Sequence, residues 1–497
     1  LSANQQSDNQ SKLRYMRKCL LLLAFYTVVL TAKAQFLDSL HVQVGTIATA
    51  ASEDYQPLWL VSKRFGTIAD RKSDFSTNVR VINKHDLFTR DADSVKKVFL
   101  QYGLDAYVNN HFKETFFKEA FVKAGYKNWQ FRAGRFAEIT GDLDPDLSSG
   151  SLGISGNALP IPKVGFSVID YTDVPLTKGW VQFKGQISHG WFGNNRYMKD
   201  AYYHEKLFYL RFGKKKLKLY GGVQHFGEWG GKRGSVQLER SFKGFLDVLL
   251  VREADDGSVG TDVNGRPPNR AGDQRGLLEA GLTWENENLL LRGYNQTPFE
   301  TGRDVDPRNV DRLLGITFVS KKKGTIKKVV GEFLTTRDML SFVEARDRQS
   351  YYNNGYYKTG WEYEGRIIGT PLFVNRNRGQ FYFPDVQPYD WDAPNNTIPG
   401  NSNVIVNRIV SGHLGVLYTL FNKLQAKTLI TYTQNFGRYG QTATSASKEQ
   451  WHTLQEFSYL TYGQISLIAA VGFDKGEFSD NVGVMLGVRK SFGFGKK

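Results

Sequence analysis

The residues of this chain that could do chemistry are scattered, and their spacing fits no catalytic or metal-binding template. Histidine occurs eight times, at 41, 85, 111, 189, 204, 225, 413 and 452. None sits in an HExxH or similar ligand spacing, and no Gly-x-Ser-x-Gly elbow presents a nucleophile. A triad assembled in space would leave no mark in sequence; on the missing motifs the reading is of a chain that is not an enzyme and carries no metal and no cofactor. What the sequence does offer is recognition chemistry. His225-Phe226-Gly227-Glu228-Trp229-Gly230-Gly231 combines an imidazole, a carboxylate and an indole with two adjacent glycines. Trp229 could stack on a sugar ring while Glu228 takes its hydroxyls. Alternatively, His225 and Glu228 could form a buried hydrogen-bonded network with Gly230-Gly231 as a turn. Tyr351, Tyr352 and Asn353, with Asn354 and Trp361 near them, join flat apolar rings to amide donors and acceptors. That suits a carbohydrate, apolar on its faces and hydroxylated at its rim. It equally suits an interfacial aromatic belt beside an Asn354-Gly355 turn. Arg376, Arg378 and Arg408, with Trp391 between them in the chain, could attract an acidic polymer or lipid phosphates, whereas Lys321 to Lys323 fits a short solubilising turn.

The elements that must position these groups are strands. The most informative is Asn481 to Phe492, where Val482, Val484, Leu486 and Val488 alternate with Gly483, Met485, Gly487 and Arg489. A period of two, with an apolar row opposite small and polar residues, gives a strand two different environments. Such a strand, ending in an aromatic near the C-terminus, resembles the closing strand of an outer-membrane barrel. Similar alternation recurs at Trp129 to Gly134 and Val181 to Ile187, and about 18 to 20 short strand candidates fill the chain. They include Pro57 to Leu60, Lys63 to Ile68, Phe245 to Val251 and Tyr357 to Ile367. Short helices are allowed only at Asp91 to Phe99 and Asn195 to Lys206. Three Gly- and Pro-rich stretches read as long loops: Glu138 to Pro175, Arg252 to Arg275 and Phe373 to Asn407.

Composition agrees. The 497 residues include 34 Phe, 25 Tyr and 9 Trp, yet mean hydropathy is only −0.42 and no apolar run reaches the roughly 20 residues of a membrane-spanning helix. Aromatic wealth without helical spans fits a transmembrane antiparallel sheet closed on itself, because an open edge in lipid would leave backbone groups unpaired. A soluble all-β glycan-binding protein is the other reading. Residues 1–34 read as an upstream segment and a secretory leader beginning at Met16. Arg17 and Lys18 precede the apolar run Cys19 to Leu30, and Ala32-Lys33-Ala34 forms a cleavage site. Residues 35–497 then form one barrel domain without cysteine. The whole chain carries a net charge of +16. Export and the lack of any recognition helix speak against nucleic acid as the partner, leaving anionic lipid or an acidic polysaccharide.

Several ordered segments resemble the Wzi family of outer-membrane capsule-assembly proteins, in the form found in Bacteroides-like Gram-negative bacteria. They are Ser149-Gly150 through Ser155-Gly156-Asn157-Ala158-Leu159-Pro160-Ile161-Pro162, His189-Gly190-Trp191-Phe192 with Asn195-Arg196-Tyr197, Tyr203 to Arg211, and His225 to Gly231. Asn295-Gln296 with Phe299-Glu300, Asp311-Arg312-Leu313, Tyr351 to Gly355 and Gly369-Thr370-Pro371-Leu372 complete the set. The resemblance implies a monomeric barrel of 18 strands in the outer membrane, its lumen occluded by loops or short helical elements. It implies a non-catalytic protein that binds capsular or other surface polysaccharide and helps its assembly or retention. Lipopolysaccharide and outer-membrane lipid would surround it, and barrel-insertion machinery would act during biogenesis. A porin or solute channel, and a scaffold for an envelope complex, are the alternatives.

Overall fold

The computed structural model describes residues 39–87, 98–252, 270–300, 302–306, 308–338, 350–394, 403–421, 423–438 and 447–493. Eighteen antiparallel strands close into a barrel, each paired with its neighbours in the chain. The first, β1 (His41–Ala51), pairs with the last, β18 (Asn481–Gly493), from His41 opposite Gly493 to Ala51 opposite Gly483. A two-residue extension, Val236–Gln237, folds back on the end of strand β9 (Leu217–Arg233) as a nineteenth member of the sheet.

The period-two pattern decides which way each side chain points. In β18, Val482, Val484, Leu486 and Val488 are exposed on the outer wall, while Met485 is buried within. The apolar row therefore meets lipid and the small row meets the lumen. Exposed Trp129, Phe131, Phe166, Trp191, Trp451 and Phe473 add aromatics to the outer wall. No helix among the described residues is long and apolar enough to cross a membrane.

The two ends of the barrel differ. Both strand termini lie at the end whose connections are short, such as 286–288, 321–325 and the tight turn Tyr462–Gln464 with Gly463 at φ +70°. Lys321 to Lys323 belong to this end. Every connection of more than ten residues emerges at the other. Three of these, 52–72, 136–162 and 336–408, carry the described residues that fill the lumen. Segment 52–72 holds a one-turn helix, α1 (Leu58–Val61), whose four residues are all buried. Inward glycines receive it: a Cβ on Gly483 would lie 2.5 Å from Pro57 Cδ and 2.8 Å from Leu60 Cδ1. Trp59 donates its indole N–H to Thr431 on the wall at 3.0 Å. Gly415 likewise makes room for the backbone of Leu147, whose carbonyl lies 2.6 Å from His413 Nε2. The plug is also tied internally, Tyr352 donating to Leu152 O at 2.6 Å and Trp361 Nε1 to Gly153 O at 2.8 Å.

Some expected elements differ. Pro57 to Leu60 is not a strand but leads into α1, and Lys63 to Ile68 is irregular plug, because the apolar side chains of α1 pack between plug and inner wall, where a period of two has no use. Tyr357 to Ile367 holds only a small luminal hairpin, Glu362–Tyr363 paired with Arg366–Ile367. Phe245 to Val251 lies within and just beyond an eight-residue helix, α2 (Phe242–Leu249). Conversely, Asn195 to Lys206 enters strand β8 (Lys199–Phe212), and the loop expected over Glu138 to Pro175 ends in strand β6 (Lys163–Asp173). Tertiary pairing overrides local preference in both cases. The leader and Asp91 to Lys97 lie outside the described residues.

Candidate functional site

The lumen is polar at the wall, and its charges are paired there. Arg196, 1 % exposed, holds Glu228 through two N–H bonds, one of 2.9 Å from Nε to Oε1. Glu332 accepts from Ser148 Oγ and Ser149 N at 2.6 Å each, and also from Tyr294. Glu279 receives Tyr209, Tyr220, Gln224, Gln296 and the backbone N–H of Asp142. Buried charges persist only when so compensated. These bonds staple residues 142–153 to the wall, and the resulting plug becomes the floor of a site.

That site is a cavity of about 1090 Å3 at the long-loop end. Its wall comes from the upper ends of β3 (Val98–Asn109), β4 (Glu114–Tyr126) and β5 (Trp129–Arg135). Its floor is plug: α1, residues 66–71, the Asn157 to Pro162 segment and residues 364–381. The wall is low here. Strand β5 ends at Arg135 opposite Ala120, so Glu114 to Glu119 of β4 run on above it without a β5 partner. Four arginines line the cavity, Arg71, Arg135, Arg366 and Arg378, together with the amides Asn157, Asn375, Asn377 and Gln380 and the rings Phe116, Phe117, Phe373 and Phe381. Asp70, Glu114 and Glu364 supply acceptors.

Each arginine is held in place. Arg378 lies in a one-turn helix, α3 (Arg376–Gly379), capped by Asn375. Its Nη1 bonds both oxygens of Asp70, at 2.8 and 2.6 Å. Burial works against its charge, but Asp70 and Asp474 outweigh it and hold the guanidinium above its ordinary pKa. Arg366 donates to Val61 O and Ile68 O, at 3.2 and 2.6 Å. Arg71 reaches Glu114 at 3.0 Å with both side chains half exposed, and Arg135 bonds Phe117 O and Tyr363 OH. Aromatic faces, amides and fixed guanidinium groups in one polar cleft can hold the rim and face of a sugar together.

Of the residues singled out from sequence, Arg378 lines this cavity. Arg376 lies in the same one-turn helix, stacks on Tyr389 at 4.2 Å and donates to Gln387 O at 3.1 Å. Trp391 is half-buried and meets the same Tyr389 ring edge-on at 5.5 Å. Tyr351, Tyr352, Asn353 and Trp361 are buried in the plug; Asn353 donates to Val404 O at 2.8 Å and accepts from Val404 N. An outer aromatic belt is thus not their place. His225, Glu228 and Trp229 do not form one cluster, because the alternation of β9 divides them. Glu228 faces the lumen, whereas His225 and Trp229 face the outer wall beneath α2. Their neighbours show it: Val223 and Leu219, of the same parity, are exposed, and Phe245 of α2 lies 6.1 Å from the Trp229 ring. Arg71, Glu114, Phe116, Arg135 and Asn377 were not found from sequence. They come from separate segments as far apart as residues 71 and 377, and only the approach of these segments makes them neighbours.

Among the described residues, no group of His, Cys, Asp or Glu could hold a metal ion. No curated protein sequence matches the chain. The fold is similar to that of a solved structure described as Wzi, an outer-membrane protein involved in group 1 capsule assembly in Escherichia coli and a carbohydrate-binding β-barrel. The TM-score is 0.55 and the identity 15%, over 95% of this chain and 88% of that one. OpdL and OccK5 of Pseudomonas aeruginosa align with TM-scores of 0.46 and 0.45, at 11% and 10% identity, over 91% and 92% of this chain and 98% and 99% of theirs. The family profile described as capsule assembly protein Wzi matches residues 46–381. The match runs from β1 through the plug to the cavity's last helix, and by it this outer-membrane barrel belongs to the Wzi family of capsule assembly proteins.

Proposed function

We propose that this protein binds a capsular or other surface polysaccharide at its outer face and helps retain it on a Gram-negative cell, without cutting it. The observation that carries the reading is the 1090 Å3 cavity, open at the long-loop end and floored by a plug, with arginines, amides and rings on its lining. Arg378, Arg71 and Arg135 are the contacts we assign to the polymer, with Arg376 and Trp391 offering a second stacking ledge beside it. Glu228, Tyr351, Tyr352, Asn353 and Trp361 serve by holding wall and plug together, and His225 and Trp229 belong to the outer surface that seats α2. The barrel works as a monomer among lipopolysaccharide and other outer-membrane lipid, after insertion by the barrel-assembly machinery.

Deleting the gene in a capsulated host should release polymer into the medium at unchanged total synthesis. Unchanged cell-attached polymer refutes the reading. A porin would instead pass steady current in planar bilayers, and an envelope scaffold would copurify with stoichiometric partners in mild detergent.

A further inference from the structure

Helix α2 lies outside the barrel. Its Phe245 packs against His189, His204 and Trp229 at ring distances of 5.8, 5.7 and 6.1 Å. A Cβ on Gly227 would meet Val248 Cγ1 at 3.0 Å, and Lys206 donates to Leu249 O at the helix's C-terminal end. All these wall residues point outward, on the parity of exposed Trp191, Ile187, Phe208 and Val223. His189 and His204 sit directly opposite each other on β7 (Val181–Gly193) and β8, and His204 opposes Gly227 on β9. Here the apolar row of the outer wall is interrupted by three imidazoles, a lysine and an amide, Gln274. Lipid would solvate none of them well. The helix covers them, and its terminal carbonyl takes the Lys206 charge.

The other side of α2 is apolar too. Phe242, Leu246 and Leu250 follow each other at i, i+4 and i+8, a single stripe, with Phe242 74 % and Leu250 54 % exposed. Val236, just before the helix, is 49 % exposed. A helix apolar on two opposite faces belongs between two apolar partners. One is the wall. Position along the strands identifies the other: His204 is five residues below the start of β8, ~12–15 Å down a tilted strand. The tilted Tyr202–Trp229 ring pair, 4.8 Å apart, lies just above it. The helix thus sits at and below the outer aromatic belt, continuous with the lipid-facing surface.

We propose that α2 is seated in the outer leaflet, a clasp that seals the polar patch on its inner side and presents Phe242, Leu246 and Leu250 to acyl chains. Ser241 caps its start, accepting from Gly244 N at 3.3 Å, and Lys243 pairs with Asp247 at 2.9 Å, so few of its polar groups are left for water.

The test uses nitroxide labels on Phe242→Cys and Leu250→Cys, each made in a Cys19→Ser background, with Asp385→Cys in the exposed loop as the reference. In phosphatidylcholine–phosphatidylglycerol bilayers, oxygen should relax the labels at 242 and 250 several-fold more effectively than a water-soluble nickel chelate, with the reverse order at 385. Chelate access at 242 and 250 matching that at 385 would overturn the proposal. So would dipolar broadening that persists at high lipid-to-protein ratio, since a second copy of the chain would then cover the stripe. Exposed positions carry these labels, and heat-modifiable migration on gels checks that each variant is folded.

Discussion

Replacing Gly483 by leucine should unseat the plug. The Cβ alone would press on Pro57 Cδ at 2.5 Å, Leu60 Cδ1 at 2.8 Å and Gln56 Oε1 at 3.0 Å, and leucine adds three more carbons in the same direction. Backbone on both sides is fixed. β18 is paired with β1 and β17 (Ile465–Gly476), and α1 is held by Leu58 N to Asp474 Oδ2 at 3.0 Å as well as by Trp59. Overpacking of this kind costs about 2 kcal/mol. That shifts the seated-to-unseated ratio of α1 by about 30-fold and leaves the lipid face untouched. Two assays read the shift. Planar-bilayer conductance should be near silent for the wild type and show resolved openings for G483L. Trypsin added from outside should cut after Lys63 or Arg64 at an increased rate in the variant only. Val484→Leu, one residue along and facing lipid, should change neither. If folded G483L remains as silent and as resistant as the wild type, inward glycines do not seat the plug, and the packing argument fails.

Other outcomes follow from the same structure. Arg71→Ala with Arg135→Ala should weaken polysaccharide binding about five- to tenfold by calorimetry, with thermal unfolding within about 2 kcal/mol of wild type: the exposed Arg71–Glu114 pair contributes little, and Arg135 gives up its bond to Tyr363 OH, about 1 kcal/mol. Glu332→Leu leaves Ser149 N–H and Ser148 O–H without their acceptor, at a cost of about 3 kcal/mol; hydrogen exchange at residues 144–151 should accelerate while distant strands stay protected. Lys63, in the plug, is pushed down to about 8 by burial. Its lowered pKa means that the unfolded state binds the proton more tightly, so its contribution to stability is full above about 10.5 and is lost as pH falls through 8. Lys63→Met should abolish that part of the pH dependence, measured as protease resistance of the plug between pH 7 and 10.5.

The sequence by itself determined the barrel. Alternation such as that of Val482 to Val488 needs only a period of two and one apolar environment, and both are local properties that any window of the chain displays. The polarity of the ends was legible for the same reason, since long Gly- and Pro-rich connections and tight turns differ in composition. Tertiary structure alone decided what fills the lumen and what lies on the wall. Leu58 to Val61 and Phe245 to Val251 are apolar enough for strands, yet one became a plug turn and the other an external helix, because closing the sheet had already used every edge. The motif His225 to Gly231 invited a single cluster; the pleat sent Glu228 inward to Arg196 and His225 outward under α2. The cavity was least legible of all. Arg71, Arg135 and Arg378 share no periodicity, and only loops folding back into the barrel brought their charges onto one surface.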